Sequence, residues 1–178
     1  ELLAALDGAK DSKAICDILG LVMARRVAAA APKVYSLIDS KDAEVASFAK
    51  LALADIVGVQ DVDRVGTLLD NASAADLAAC QKALVAAVHT LAPAERYAKV
   101  SALMKKSRNV AAFYPVLAAT GTDEAVADLA AAYGSGDKAA FAPLLAIDNF
   151  KAAPVLLKAA ASDASLADKA VSRYSSLV

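Results

Sequence analysis

Few side chains in this sequence stand where they could do chemistry. His89 is the single histidine, and the two cysteines, Cys16 and Cys80, have no second thiol or imidazole at metal-ligand spacing. His89 follows Val85 and Val88 near the end of a predicted helix, where an imidazole serves terminal carbonyls and the helix dipole. Both cysteines read as buried small hydrophobes at helix positions. The run Gly134-Ser135-Gly136-Asp137-Lys138 has the look of a phosphate loop, but it lacks the full spacing and follows a helix instead of a strand. It reads as a helix-helix turn. Asp61 with Asp63, and Asp123 with Glu124, resemble acid pairs, yet they open predicted helices, where carboxylates complement the dipole. No nucleophile-base pair, split carboxylate pair or metal cluster is signalled, so no catalytic, cofactor-binding or metal-binding residue is predicted.

The elements that would carry any site are helices. Of 178 residues 47 are alanine, aromatics make up 5% and Trp is absent, a bias towards the best helix former and away from sandwiches and barrels. Nineteen basic residues nearly cancel twenty acidic ones, so no net attraction to nucleic acid or anionic lipid follows. The basic clusters Arg25-Arg26 and Lys105-Lys106-Arg108 lie at helix ends, where cations suit the terminal carbonyls. Mean hydropathy is +0.47, but every apolar run is interrupted well short of the roughly 18 residues a membrane span needs. The cysteine pair is too sparse to assign a compartment.

A repeat organises these helices. Ala111 to Ala119, with Phe113, Pro115 and Leu117, recurs as Ala139 to Ile147, with Phe141, Pro143 and Leu145, 28 residues later. A second series shares an i, i+3, i+4 stripe: Val34-Leu37-Ile38, Val65-Leu68-Leu69, Val100-Leu103-Met104, Leu129-Ala132-Tyr133 and Leu156-Ala159-Ala160. Leu2-Ala5-Leu6 fits one step earlier, giving about six units inside the period range of solenoids. Each unit divides at a polar break, such as Asp39-Ser40-Lys41-Asp42 or Asp70-Asn71-Ala72-Ser73, whose side chains can cap orphan amides. Helices are expected at 11–26, 30–39, 42–57, 61–70, 74–91, 94–105, 109–119, 123–133, 137–147, 150–161 and 164–177, after a fragment at 1–7. Pro115 and Pro143 fall inside two of these and predict a kink or a late start. Pro32 and Pro93 sit at helix starts, and Pro154 a few residues into its helix.

Helix pairs of about 30 residues with a proline-bent helix and a polar turn resemble HEAT repeats. The closest unit runs from Ala31 to Ala46, where Asp42 and Val45 match the family's turn Asp and the Val opening the second helix. Ala46, Ala78 and Ala111 stand where the family usually carries Arg. The resemblance implies an all-α, right-handed alpha-alpha superhelix of about six helix pairs, a single repeat domain over 1–178. At interaxial distances of 8 to 10 Å such a stack would extend roughly 50 to 60 Å. Glu1 to Asp7 reads as mid-helix, so the N-terminal edge is expected to be a cut within a longer protein. The stripe Leu166-Ala170-Tyr174-Leu177 opposite polar residues is expected to close the C-terminal edge.

By analogy with a family of binding scaffolds, the expected role is a noncatalytic protein-interaction or spacer module. In such solenoids the second helix of each pair lines the concave face. Lys50 and Lys82 each stand five residues after the apolar anchors Val45 and Leu77, and Glu44 and Asp76 each precede those anchors by one. These four residues are predicted to form adjacent basic and acidic rows that orient a protein partner. Nucleic acid is not expected as a partner. The alternative is a HEAT-like enzyme acting on a nucleobase or a prosthetic group, as DNA glycosylases and bilin lyases of that type do.

Overall fold

Apolar residues recurring at three- and four-residue steps form helices along nearly the whole chain. The structure is a computed structural model and describes residues 1–177, among which there is no strand. Contacts divide the chain into two units, Glu1–Leu91 and the part from Ala92 onward. The first unit holds α1 (Leu2–Gly8), α2 (Ser12–Ala24), α3 (Ala31–Leu37), α4 (Ala43–Ile56), α5 (Val62–Asp70) and α6 (Leu77–His89). The second holds α7 (Pro93–Met104), α8 (Tyr114–Ala118), α9 (Asp123–Gly134), α10 (Phe141–Ala146), α11 (Ala153–Ser162) and α12 (Ala167–Leu177).

Five helices open with a single tight 3₁₀ turn, at 28–30, 59–61, 110–113, 138–140 and 150–152, immediately before α3, α5, α8, α10 and α11. In four of these, Pro32, Pro115, Pro143 and Pro154 lie within the first three α-helical residues. A proline there lacks only an amide that would have had no intrahelical partner. The late start is therefore the outcome at Pro115 and Pro143, and Pro154 takes the same place without bending the middle of its helix.

Within the first unit, α1 packs on α2, α3 on α4 and α5 on α6, while α2, α4 and α6 stack in one row. The second unit repeats the arrangement: α7 packs on α8, α9 on α10 and α11 on α12, and α8, α10 and α12 form the row. Five of the six stripe-leading residues, Val34, Val65, Val100, Leu129 and Leu156, are fully buried, and Leu2 is half-buried. Ala49, Ala52, Ala83 and Ala87 are also fully buried, and their small side chains let the stacked axes approach closely.

Polar side chains supply the punctuation. Asp11 and Asp42 accept from the amides that open α2 and α4, and Thr122 does the same for α9. Several of these groups also reach into the neighbouring pair. Ser12 donates to Asp42, Tyr97 to Asp128 at 2.9 Å, Tyr114 to Asp137 at 2.8 Å, Asn149 to the Gly121 carbonyl at 3.1 Å, and Arg173 to the Ile147 carbonyl at 2.8 Å. These partners lie 23 to 31 residues apart, about one repeat.

Candidate binding surfaces

The structure joins two of the four nominated residues. Lys50 Nζ, on α4, lies 2.8 Å from Asp76 Oδ2 at the start of α6, and both side chains are only 21% exposed. Asp76 also accepts the Ser73 hydroxyl at 2.8 Å. The hydrogen bond from Lys50, then that from Ser73, hold its carboxyl below the ordinary range. Glu44 and Lys82 are exposed on the same two helices. The register explains why the residues do not form two parallel rows. Burial makes Ala49, Ala52 and Leu53 of α4 equivalent to Cys80, Ala83 and Leu84 of α6, an offset of 31, whereas Val45 and Leu77 are 32 apart. Lys50 therefore lines up with Gln81, and Lys82 sits about 100° further around its helix.

The groups that resembled chemistry are absorbed by structure. Cys16 and Cys80 are buried, and burial above all pushes both thiols up, assisted at Cys16 by Glu44, Asp42 and Asp17 and at Cys80 by Asp76. His89 is the last residue of α6. Asp61 is buried and accepts the Gly58 amide and the Gln60 side-chain amide, both at 2.9 Å, closing the turn before α5. Beside it Tyr35 is buried, and the Arg64 guanidinium lies 3.7 Å from its ring centroid. Burial first, and the Asp61 charge second, raise the Tyr35 phenol above its ordinary value. Asp123 is engaged by Asn149 at 3.0 Å and by Lys151 rather than by Glu124, and the Lys151 and Asn149 contacts lower its carboxyl. The 134–138 run is a helix-helix turn, with Gly136 at φ 102°, a conformation that a side chain disfavours. No group of three or more metal-ligating side chains gathers among the described residues. No helix among them is long and apolar enough to cross a membrane.

Two of the grooves on the second unit were not announced by the sequence. One, of about 590 Å³, runs between α9 and α11 and is lined by Tyr133, Lys138, Pro154, Val155, Lys158 and Ala159. The Tyr133 ring stands 5.5 Å from that of Phe141, and Lys138 Nζ lies 5.4 Å from the Tyr133 centroid. The other, of about 390 Å³, lies on the row of second helices between Pro115 and Ala119 of α8 and its end and Pro143 and Ala146 of α10. The nearest sequence signals were Tyr133, which ends a stripe, and the repeated Pro115 and Pro143; the lysines belong to no common pattern.

Comparison with protein-family models, with curated proteins and with solved structures finds no match to this chain.

Proposed function

We propose that the chain is a HEAT-like solenoid, a right-handed superhelix of about six helix pairs forming one repeat domain, and that it serves as a noncatalytic scaffold for a protein partner. The observation that carries this reading is the use of its polar side chains. Asp42, Asp76, Asp123 and Asp137 cap turns or tie a helix pair to the next. Such groups fix a surface made of stacked helices, and surfaces of that kind recognise partners by shape and charge.

The test is partner capture from lysate by the wild-type chain and by the double variant Glu44→Lys, Lys82→Glu. Both residues are exposed, so stability should change by no more than about 0.5 kcal/mol. Lys50 is left in place because reversing it would set two carboxylates against each other at Asp76. Weaker recovery of the same partner by the double variant, with the deficit shrinking as salt is raised, supports a protein contact on this face. Equal recovery moves the contact elsewhere. A turnover on a nucleobase or prosthetic group that the variant loses would replace the scaffold reading with an enzymatic one.

A further inference from the structure

We infer that the α9–α11 groove of the second unit is a docking site for a linear segment of a partner protein that carries acidic residues around an apolar side chain. This rests on the scaffold reading and names the chemistry of the partner at one place.

The groove has two features that pair on such a segment. Its floor is apolar, built from the Tyr133 ring, Pro154, Val155 and Ala159, and its volume of about 590 Å³ falls in the range of sites that enclose a ligand's apolar part. Its lining charges are both positive. Lys138 leans over the Tyr133 ring and makes only a loose pair, 3.8 Å, with Asp163, while its side chain stays 71% exposed. Lys158 is exposed on α11. A carboxylate entering beside the floor meets both ammonium groups and has a weak competitor in Asp163.

Exposed apolar residues also stand beside the groove. Pro154 and Leu157 lie about one turn apart on α11 and Phe150 stands in the 3₁₀ turn that opens it, with Phe150 66% and Leu157 42% exposed. A closed pocket would suit a small amphipathic anion such as a fatty acid. A groove flanked by exposed apolar residues suits a chain with several side chains in series. The small lining residues Ala130, Gly134 and Ala159 leave room for a backbone to lie close.

The experiment uses the full chain and a fluorescein-labelled peptide of about ten residues in which two leucines are set among glutamates. Fluorescence anisotropy follows its binding, with a peptide having lysine for glutamate, a peptide having serine for leucine, and laurate as competitor. The acidic leucine peptide should bind, and both altered peptides should bind at least about tenfold more weakly. The double variant Lys138→Glu, Lys158→Glu should weaken it by a similar factor of about ten, and raising salt from about 50 to 300 mM should weaken wild-type binding several-fold. Circular dichroism of the variant checks that it folds, and Lys158→Ala, at an exposed position, provides a milder second variant. Equal binding of the basic peptide, undiminished binding by the folded variant, or no binding of the acidic peptide overturns the proposal. Laurate that binds in the groove and displaces nothing but itself assigns the groove to a small anion instead, which also overturns it. Partner capture separates the two readings: a partner recovered equally by wild type and by Lys138→Glu, Lys158→Glu leaves the scaffold standing and removes this docking site.

Discussion

The repeat makes a quantitative demand on three phenylalanines of the second unit. Phe113 and Phe141 match in the 28-residue sequence copy, and although the structure sets Phe141 level with Tyr114, each opening its α-helix, both Phe are buried, 1% and 7% exposed, whereas Phe150 is 66% exposed. A Phe side chain buries of the order of 200 Å², and at about 25 cal/mol per Å² full burial amounts to roughly 5 kcal/mol, an upper estimate. Truncation of a buried Phe to Ala costs about 3 to 5 kcal/mol in practice. The slightly greater exposure of Phe141 removes only about 0.3 kcal/mol. Its ring contact with Tyr133, centroids 5.5 Å apart, adds more than that. Phe113→Ala and Phe141→Ala should therefore lose similar amounts, and Phe150→Ala less than about 1.5 kcal/mol. With an m value near 2 kcal/mol/M in urea, the first two variants shift the unfolding midpoint down by about 2 M, and the third by no more than about 0.75 M. Urea titration followed by circular dichroism at 222 nm measures all three. An unchanged midpoint for Phe141→Ala, or a loss in Phe150→Ala as large as in Phe113→Ala, would refute the burial of Phe113 and Phe141 in the core.

Two further predictions concern the first unit. The carboxyl of Asp76 is held below its reference value of 3.8, so its contribution is present above that pH and is lost as pH falls through the lower folded value. Asp76→Asn should accordingly be less stable than wild type near neutrality, by roughly 1 kcal/mol, and the two should converge once acid protonates the Asp76 carboxyl; parallel acid limbs in pH-dependent melting would contradict the pairing with Lys50. Buried Cys16 and Cys80, with thiols pushed up, should react with Ellman's reagent at pH 8 only slowly in the native protein and fully in denaturant; prompt titration of either thiol in the folded chain would show that its helix position is open.

The helices were legible because large apolar residues kept helical phase: Val34, Val65, Val100, Leu129 and Leu156 each led a stripe, and each is fully buried. The 3₁₀ openings were not, since a 3₁₀ and an α turn differ only in whether an amide reaches back three residues or four, a choice that proline placement constrains without stating. Alanine accounts for the larger miss. It falls on every face of these helices, so it carries little phase information, and Val45 and Leu77 align α4 with α6 as well as any other pair along the sequence. One residue of register is about 100° of rotation. That rotation turned an expected row of lysines into a buried-edge pair, Lys50 with Asp76, and left Lys82 on a different face. The α9–α11 groove was hidden for a related reason. Tyr133 and Lys138 belong to one helix and the turn after it, Pro154 and Lys158 to another helix, and nothing in linear spacing joins them until the two pairs pack. In a chain built from so many interchangeable small residues, the rare large and charged side chains fix where surfaces meet, and their partners are set by the offset between stacked helices more than by any motif along one of them.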